Sequence, residues 1–170
     1  MKTALIIISM AVIGCSPHTT YLTMKGSYSE LPQQAKTAKT FDQVLSSFRS
    51  FLVANGAAVK EYNKATGEII SEPMAVEFTT EDKDGKPKKP DALIVCAMTY
   101  NYGAQKTMPI FGQIKAQWHL SYITAADSSI VSIRASNVIN DYVVGMKQVS
   151  KPVVNYRSTG IFERKALESL

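Results

Sequence analysis

The side chains that could do covalent or acid–base chemistry are few and far apart. The chain has two cysteines, Cys15 and Cys96, and two histidines, His18 and His119. A lone imidazole needs a partner before it can ligate a metal or relay a proton. His18 stands in a polar stretch with no ligand-spaced neighbour, and His119 falls on the wet face of an alternating segment. Asp127, Asp141 and Glu163 could meet in space, but nothing in their spacing pairs them. Asp82, Asp84 and Gly85 begin like a calcium loop, which then lacks its third acidic ligand and terminal glutamate. There is no Gly-x-Ser-x-Gly elbow, phosphate-binding Gly-Lys-Ser/Thr loop or Cys-x-x-Cys pair. The sequence therefore predicts no catalytic, cofactor-binding or metal residue, and a protein that is not an enzyme.

The whole-chain balance narrows the partners. At 170 residues with 45% hydrophobic content, one domain is expected. The formal charge of +5 is spread along the chain, apart from a cluster at Lys83, Lys86, Lys88 and Lys89. That distribution gives no nucleic-acid footprint, although it suits a nearby anionic membrane.

The elements that would position these groups form an α+β pattern. Thr40-Phe41-Asp42-Gln43 matches a capping box, and Phe41, Val44, Leu45, Phe48, Phe51 and Leu52 then share one helical face up to the stop at Asn55-Gly56. Residues 57–62 and 68–71 flank a turn and predict a hairpin, and residues 74–80 a weaker strand. Residues 81–90 form a polar hairpin tip. Residues 92–100, the most apolar run after residue 15, predict a central strand in which Cys96 is a small buried hydrophobe. Ile114, Ala116, Trp118, Leu120 and Tyr122 alternate with polar residues, and residues 131–135 follow as the partner strand. Ser158-Thr159-Gly160 can cap a last helix through residue 170, with Glu163 near its positive end. The expected architecture is an amphipathic helix, an antiparallel sheet of about five strands, and a C-terminal helix packed on one sheet face.

The first fifteen residues carry the most specific signal. Lys2 precedes about ten apolar or small residues, too few to cross a bilayer core that needs about 20 and fitting for an export signal. The run ends in Val12-Ile13-Gly14-Cys15, which resembles the bacterial lipobox. That resemblance implies cleavage between Gly14 and Cys15 and lipidation of Cys15. The thiol would take a diacylglyceryl thioether and the freed amine a further acyl chain, and several chains together make a stable anchor. Acylation of Cys15 leaves Cys96 without a disulfide partner. Ser16, rather than Asp, after the cysteine implies outer-membrane sorting, by resemblance to Gram-negative lipoproteins. The resulting division is residues 1–14 as signal peptide, 15–39 as lipidated cysteine and flexible tether, and 40–170 as a single α+β domain.

With the helix over residues 41–54, the hairpin containing Ala65-Thr66-Gly67-Glu68-Ile69 and the closing Ser158-Thr159-Gly160-Ile161-Phe162-Glu163, the chain resembles small bacterial envelope lipoproteins. Examples are the domains of the outer-membrane assembly lipoprotein BamC and related TBP-like or helix-grip modules. The resemblance implies a periplasm-facing, membrane-anchored binding or assembly module, with membrane lipid as one partner and an unidentified envelope protein as another. Trp118 and Tyr142 are the candidate binding surface, and the grip between sheet and C-terminal helix is the expected place of contact. Two other readings stand beside this one: an immunity or inhibitor lipoprotein that blocks a toxin or hydrolase, and a small hydrolase whose site no motif reveals.

Overall fold

The computed structural model describes residues 18–21, 33–96, 98–102, 106–107, 112–125, 127–144, 146–153 and 155–170. Thr40 sets the start of the first helix. Its side chain accepts the N–H of Gln43, while the Gln43 side chain accepts the N–H of Thr40. Helix α1 (Phe41–Ala54) buries Phe41, Val44, Leu45, Phe48 and Leu52 on one stripe and ends at Asn55. The second helix, α2 (Ile161–Ser169), enters through Gly160 in a left-handed conformation. Both helices are where the residue pattern puts them.

A long antiparallel hairpin is the spine of the main sheet. It consists of β10 (Gln113–Thr124) and β11 (Ser129–Val144). Each outer edge of this spine is shared end to end by two short strands. Along β11 lie β2 (Gln33–Thr37), opposite residues 129–133, and β12 (Lys147–Pro152), opposite residues 139–144. Along β10 lie β4 (Glu68–Ser71) and β5 (Met74–Ala75). Outside β4 comes β3 (Val59–Asn63), which completes seven strands. Two three-stranded sheets complete the strand system of the described residues. One orders β13 (Tyr156–Ser158), β7 (Ile94–Cys96) and β6 (Phe78–Thr79); the other orders β1 (His18–Tyr21), β8 (Met98–Tyr102) and β9 (Lys106–Thr107). The β6–β7 pair is parallel, whereas the other pairings among the described residues are antiparallel.

The core lies between one face of the main sheet and the two helices. Ile114, Ala116, Trp118 and Leu120 alternate onto that face with Ile69, Val131 and Ile133, all buried. Phe162 stacks on Trp118 with ring centroids 4.0 Å apart and meets Phe51 edge-on at 5.1 Å. One aromatic column thus joins sheet, α2 and α1.

The places where two short strands meet along a spine edge would leave ladder N–H groups unpaired, and side chains seal them. Trp118 and Ala135 face each other across the spine. The Trp118 N–H points outward to Ser71 Oγ at 2.9 Å, and the Ala135 N–H points outward to the Glu163 carboxylate. Next to this rung β11 carries one extra residue, and Asn137 takes a positive φ of 45°. Asn137 Nδ2 donates to Gln117 Oε1 at 2.7 Å, and the buried Gln117 donates through Nε2 to the Ser71 carbonyl at 3.1 Å. Asn137→Ala should destabilise the domain by about 2 kcal/mol, because alanine lacks the polar side chain that lets asparagine tolerate left-handed space and because it strands the Gln117 oxygen. Asn137→Gly should recover the backbone part of that loss. Urea unfolding of the two variants side by side measures the difference, and equal losses would mean that backbone strain plays no part.

Three sequence expectations need correction. The sheet system has thirteen strand segments among the described residues rather than about five strands. Residues 18–21 and 33–37, placed by the sequence in a flexible tether, form β1 and β2. For β2 the reason is length: β11 runs 16 residues, so β12 cannot cover its whole edge and the first five residues remain open to another strand. Residues 92–100 are not one central strand; the run divides between β7 and β8, which serve different small sheets.

Candidate functional site

Edge strand β3 and the end of α1 together expose an apolar pair, Val53 and Tyr62. The β3–β4 hairpin turns through Asn63, whose side-chain oxygen accepts the N–H groups of Ala65 and Thr66. Gly67 then adopts a φ of +73°, and Lys64 reaches Asp42 at 2.6 Å, tying the turn to the start of α1. No strand among the described residues pairs with the outer edge of β3. Between that edge and the last turns of α1 runs a groove of about 460 Å³, lined by Arg49, Val53, Val59, Lys60 and Tyr62 among others. Val53 is 64% exposed and Tyr62 54%, values that large apolar side chains seldom show without a reason when they stand together. Lys60 pairs with Glu61 at 3.7 Å, and Arg49 has no ion pair among the described residues. A second depression, of about 520 Å³, begins on the other side of Tyr62 and extends along Lys64 to Glu68 and Ile70.

His119 sits on the same outer sheet face, beside Ile70 and Arg134 in register. Its side chain is only 13% exposed, less wet than the alternation implies. Arg134 directs a guanidinium N–H at Nδ1 from 3.3 Å, so the ring proton belongs on Nε2. Nε2 lies 3.4 Å from Glu68 Oε1, outside hydrogen-bond geometry. The arrangement resembles a base with its orienting acid, yet the lone pair that would take a proton is already engaged by Arg134. It does not make a general base.

The three acids that might have converged do not. Asp127 is in the turn before β11 and Asp141 near the far end of that strand. Asp141 accepts from Lys115 Nζ at 2.8 Å and from Ser150 Oγ. These hydrogen bonds, Lys115 first, hold its carboxyl below the ordinary 3.8. A carboxylate so stabilised is a poor base, and the Ser150 hydroxyl is spent on it. Its stabilising contribution is present above pH 3.8 and is lost as the pH falls through the lower folded value.

Glu163 behaves in the opposite sense. It is 3% exposed at the start of α2, and burial raises its pKa above the ordinary 4.5 against the opposing bonds from Ser158, its own N–H and that of Ala135. Its Oε2 has no hydrogen-bond partner among the described residues. Folding therefore disfavours the ionised form: this group's contribution to stability is greatest below pH 4.5 and declines as the pH rises through the folded value. Glu163→Gln removes that ionisation and keeps an acceptor for Ala135. The variant should melt higher than wild type at pH 7, with the gap closing at pH 4; a variant equally weakened at both values would show that the carboxylate's bonds outweigh its burial.

The remaining candidate residues fall as follows. Trp118 is wholly buried under Phe162 and Tyr142 is also buried, so neither offers an exposed surface. The grip between the sheet and α2 is filled by that aromatic stack. Gly14 and Cys15 lie outside the described residues, and His18 opens β1 opposite Asn101. Cys96 is a free, buried thiol whose pKa burial pushes up to about 12, so it is chemically quiet at neutral pH. Lys83, Lys86 and Lys88 project from the 81–90 tip, while Lys89 pairs with Glu77 at 3.2 Å. Asp82 closes that tip by accepting the N–H groups of Asp84 and Lys86. Among the described residues no cluster of His, Cys, Asp and Glu could hold a metal, and no helix is long and apolar enough to cross a membrane. No family model and no curated protein sequence matches the chain.

Proposed function

We propose that this chain is an exported lipoprotein, anchored through acylated Cys15 to a bacterial outer membrane, whose periplasm-facing domain is a non-catalytic binding module. The partner is an extended segment of an envelope protein, taken as an added strand on β3. The observation that carries this reading is the unpaired β3 edge beside exposed Val53 and Tyr62. Free backbone donors and acceptors along an edge can pair with an incoming strand, and flanking apolar groups then select its side chains. Arg49 favours an acidic residue in that segment. Lys60 and Glu61 on the same strand guard against indiscriminate pairing between copies.

Two measurements test the two halves of the proposal. Intact mass and membrane fractionation of wild type should show loss of residues 1–14 plus acyl chains, while Cys15→Ser should stay unprocessed and unacylated. A soluble, unprocessed wild type would end the anchored reading. A photocrosslinking residue in place of Tyr62 should give a discrete protein adduct in intact cells, and adding Val53→Asp should abolish it. Persistence of the adduct after Val53→Asp, or no adduct at all, would move the binding surface elsewhere.

A further inference from the structure

This inference rests on the anchored reading of Cys15. Only Ser16 and Pro17 separate that residue from His18, the first residue of β1. Three Cα steps reach at most about 11 Å, comparable with a lipid headgroup layer plus its margin. A sheet that starts so close to its anchor has little freedom to leave the bilayer surface.

The register says which end of the small sheet is nearest. His18 is opposite Asn101, and the next rung pairs Tyr102 with Lys106. Tyr21 is opposite Met98, at the far end of β1, about 10 Å further along. None of the 14 acidic residues falls in β1, β8 or β9, and these strands contain Lys106, Tyr21, Tyr100 and Tyr102. Carboxylates would be repelled by lipid phosphates, lysines are attracted to them, and tyrosine settles at the level where apolar and wet layers meet.

We propose that the sheet β1–β8–β9 is the membrane-facing foot of the domain, with its Tyr102–Lys106 end seated among the headgroups of an anionic bilayer. The foot holds β8 at the bilayer surface, and only residue 97 separates β8 from β7 of the domain.

The test uses full-length acylated protein reconstituted into phosphatidylethanolamine–phosphatidylglycerol vesicles that carry a headgroup-attached quencher. Thr107→Cys reports on the near end of the foot and Met98→Cys on the far end, each labelled with a thiol-reactive fluorophore; Thr99→Cys replaces Met98→Cys should that variant fail to fold. Acylated Cys15 and buried Cys96 take no label. The label at 107 should be quenched several-fold more than the label at 98. Acylated protein, confirmed by mass, with equal quenching at both positions would overturn the foot and leave the anchor standing. Protein without acyl mass would overturn both.

Discussion

Trp118→Ala is expected to lower the unfolding free energy by about 3–5 kcal/mol, the usual cost of emptying a buried large aromatic site. The ring is 0% exposed and is the shared contact of the sheet and α2 through its stacking on Phe162. An aromatic pair adds about 0.5–1.5 kcal/mol beyond its area, so part of the loss is the stack itself. Phe162 in turn holds Phe51, and the gap cannot close without moving α2 against α1. Since a domain of this size has about 5–15 kcal/mol in total, the variant should sit near the limit of folding, with its midpoint lowered by about 10 °C. Trp118→Phe should cost much less. It keeps a ring on Phe162 and removes Nε1, which is buried without a hydrogen-bond partner among the described residues. Thermal and urea unfolding of both variants in the Cys15→Ser background compares them; equal losses would mean that ring stacking is not what binds α2 to the sheet.

Gly67→Ala is the second large effect, and two separate causes contribute to it. The residue has φ +73°, where a side chain costs about 1–2 kcal/mol. An added Cβ would also come 2.0 Å from the carbonyl oxygen of Tyr122, which is backbone and cannot swing aside. Relieving that clash moves the β3–β4 turn off β10 and stretches the 2.7 Å bond from Tyr122 N–H to the Gly67 carbonyl, adding about 1–3 kcal/mol. The total should be about 3 kcal/mol. Gly56→Ala is the internal control: its φ of +76° is the same, but nothing lies within 4 Å of its new Cβ. It should show the backbone cost alone. Matching losses at 56 and 67 would refute the close approach of the turn to β10. Because the turn positions β3, Gly67→Ala should also weaken any crosslink made from position 62.

How much of this could be read from the residues depended on whether the signal was local. The α1 boundaries follow from Thr40, Gln43 and Asn55-Gly56, which satisfy helix ends wherever they occur, and the alternation around Trp118 assigns that ring to the buried face. The polar segment Gln33–Thr37 gave no such signal: an edge strand needs only backbone pairing, and its reason to exist is the unfilled length of β11. The apolar run around Cys96 was read correctly as buried and wrongly as one strand, because burial does not reveal which of two sheets a strand joins. The candidate site was the least legible part. β3 is an edge by virtue of strand order, a property of the whole topology, and Val53 and Tyr62 come together only once α1 lies beside it. Asn137 offered a faint clue, since asparagine is enriched at positive φ.

The pairing of β2 bears on when the domain can form. Gln33 is opposite Ile133, about a hundred positions later, and such distant pairings slow folding because a long loop must close before any contact rewards it. The spine that β2 completes, and the Glu163 that seals its seam, both come from the last third of the chain. The amino-terminal half therefore has no finished sheet to join until most of the polypeptide is present. A chain built in this order stays extended for longer, the state in which a polypeptide can be threaded through a narrow export channel.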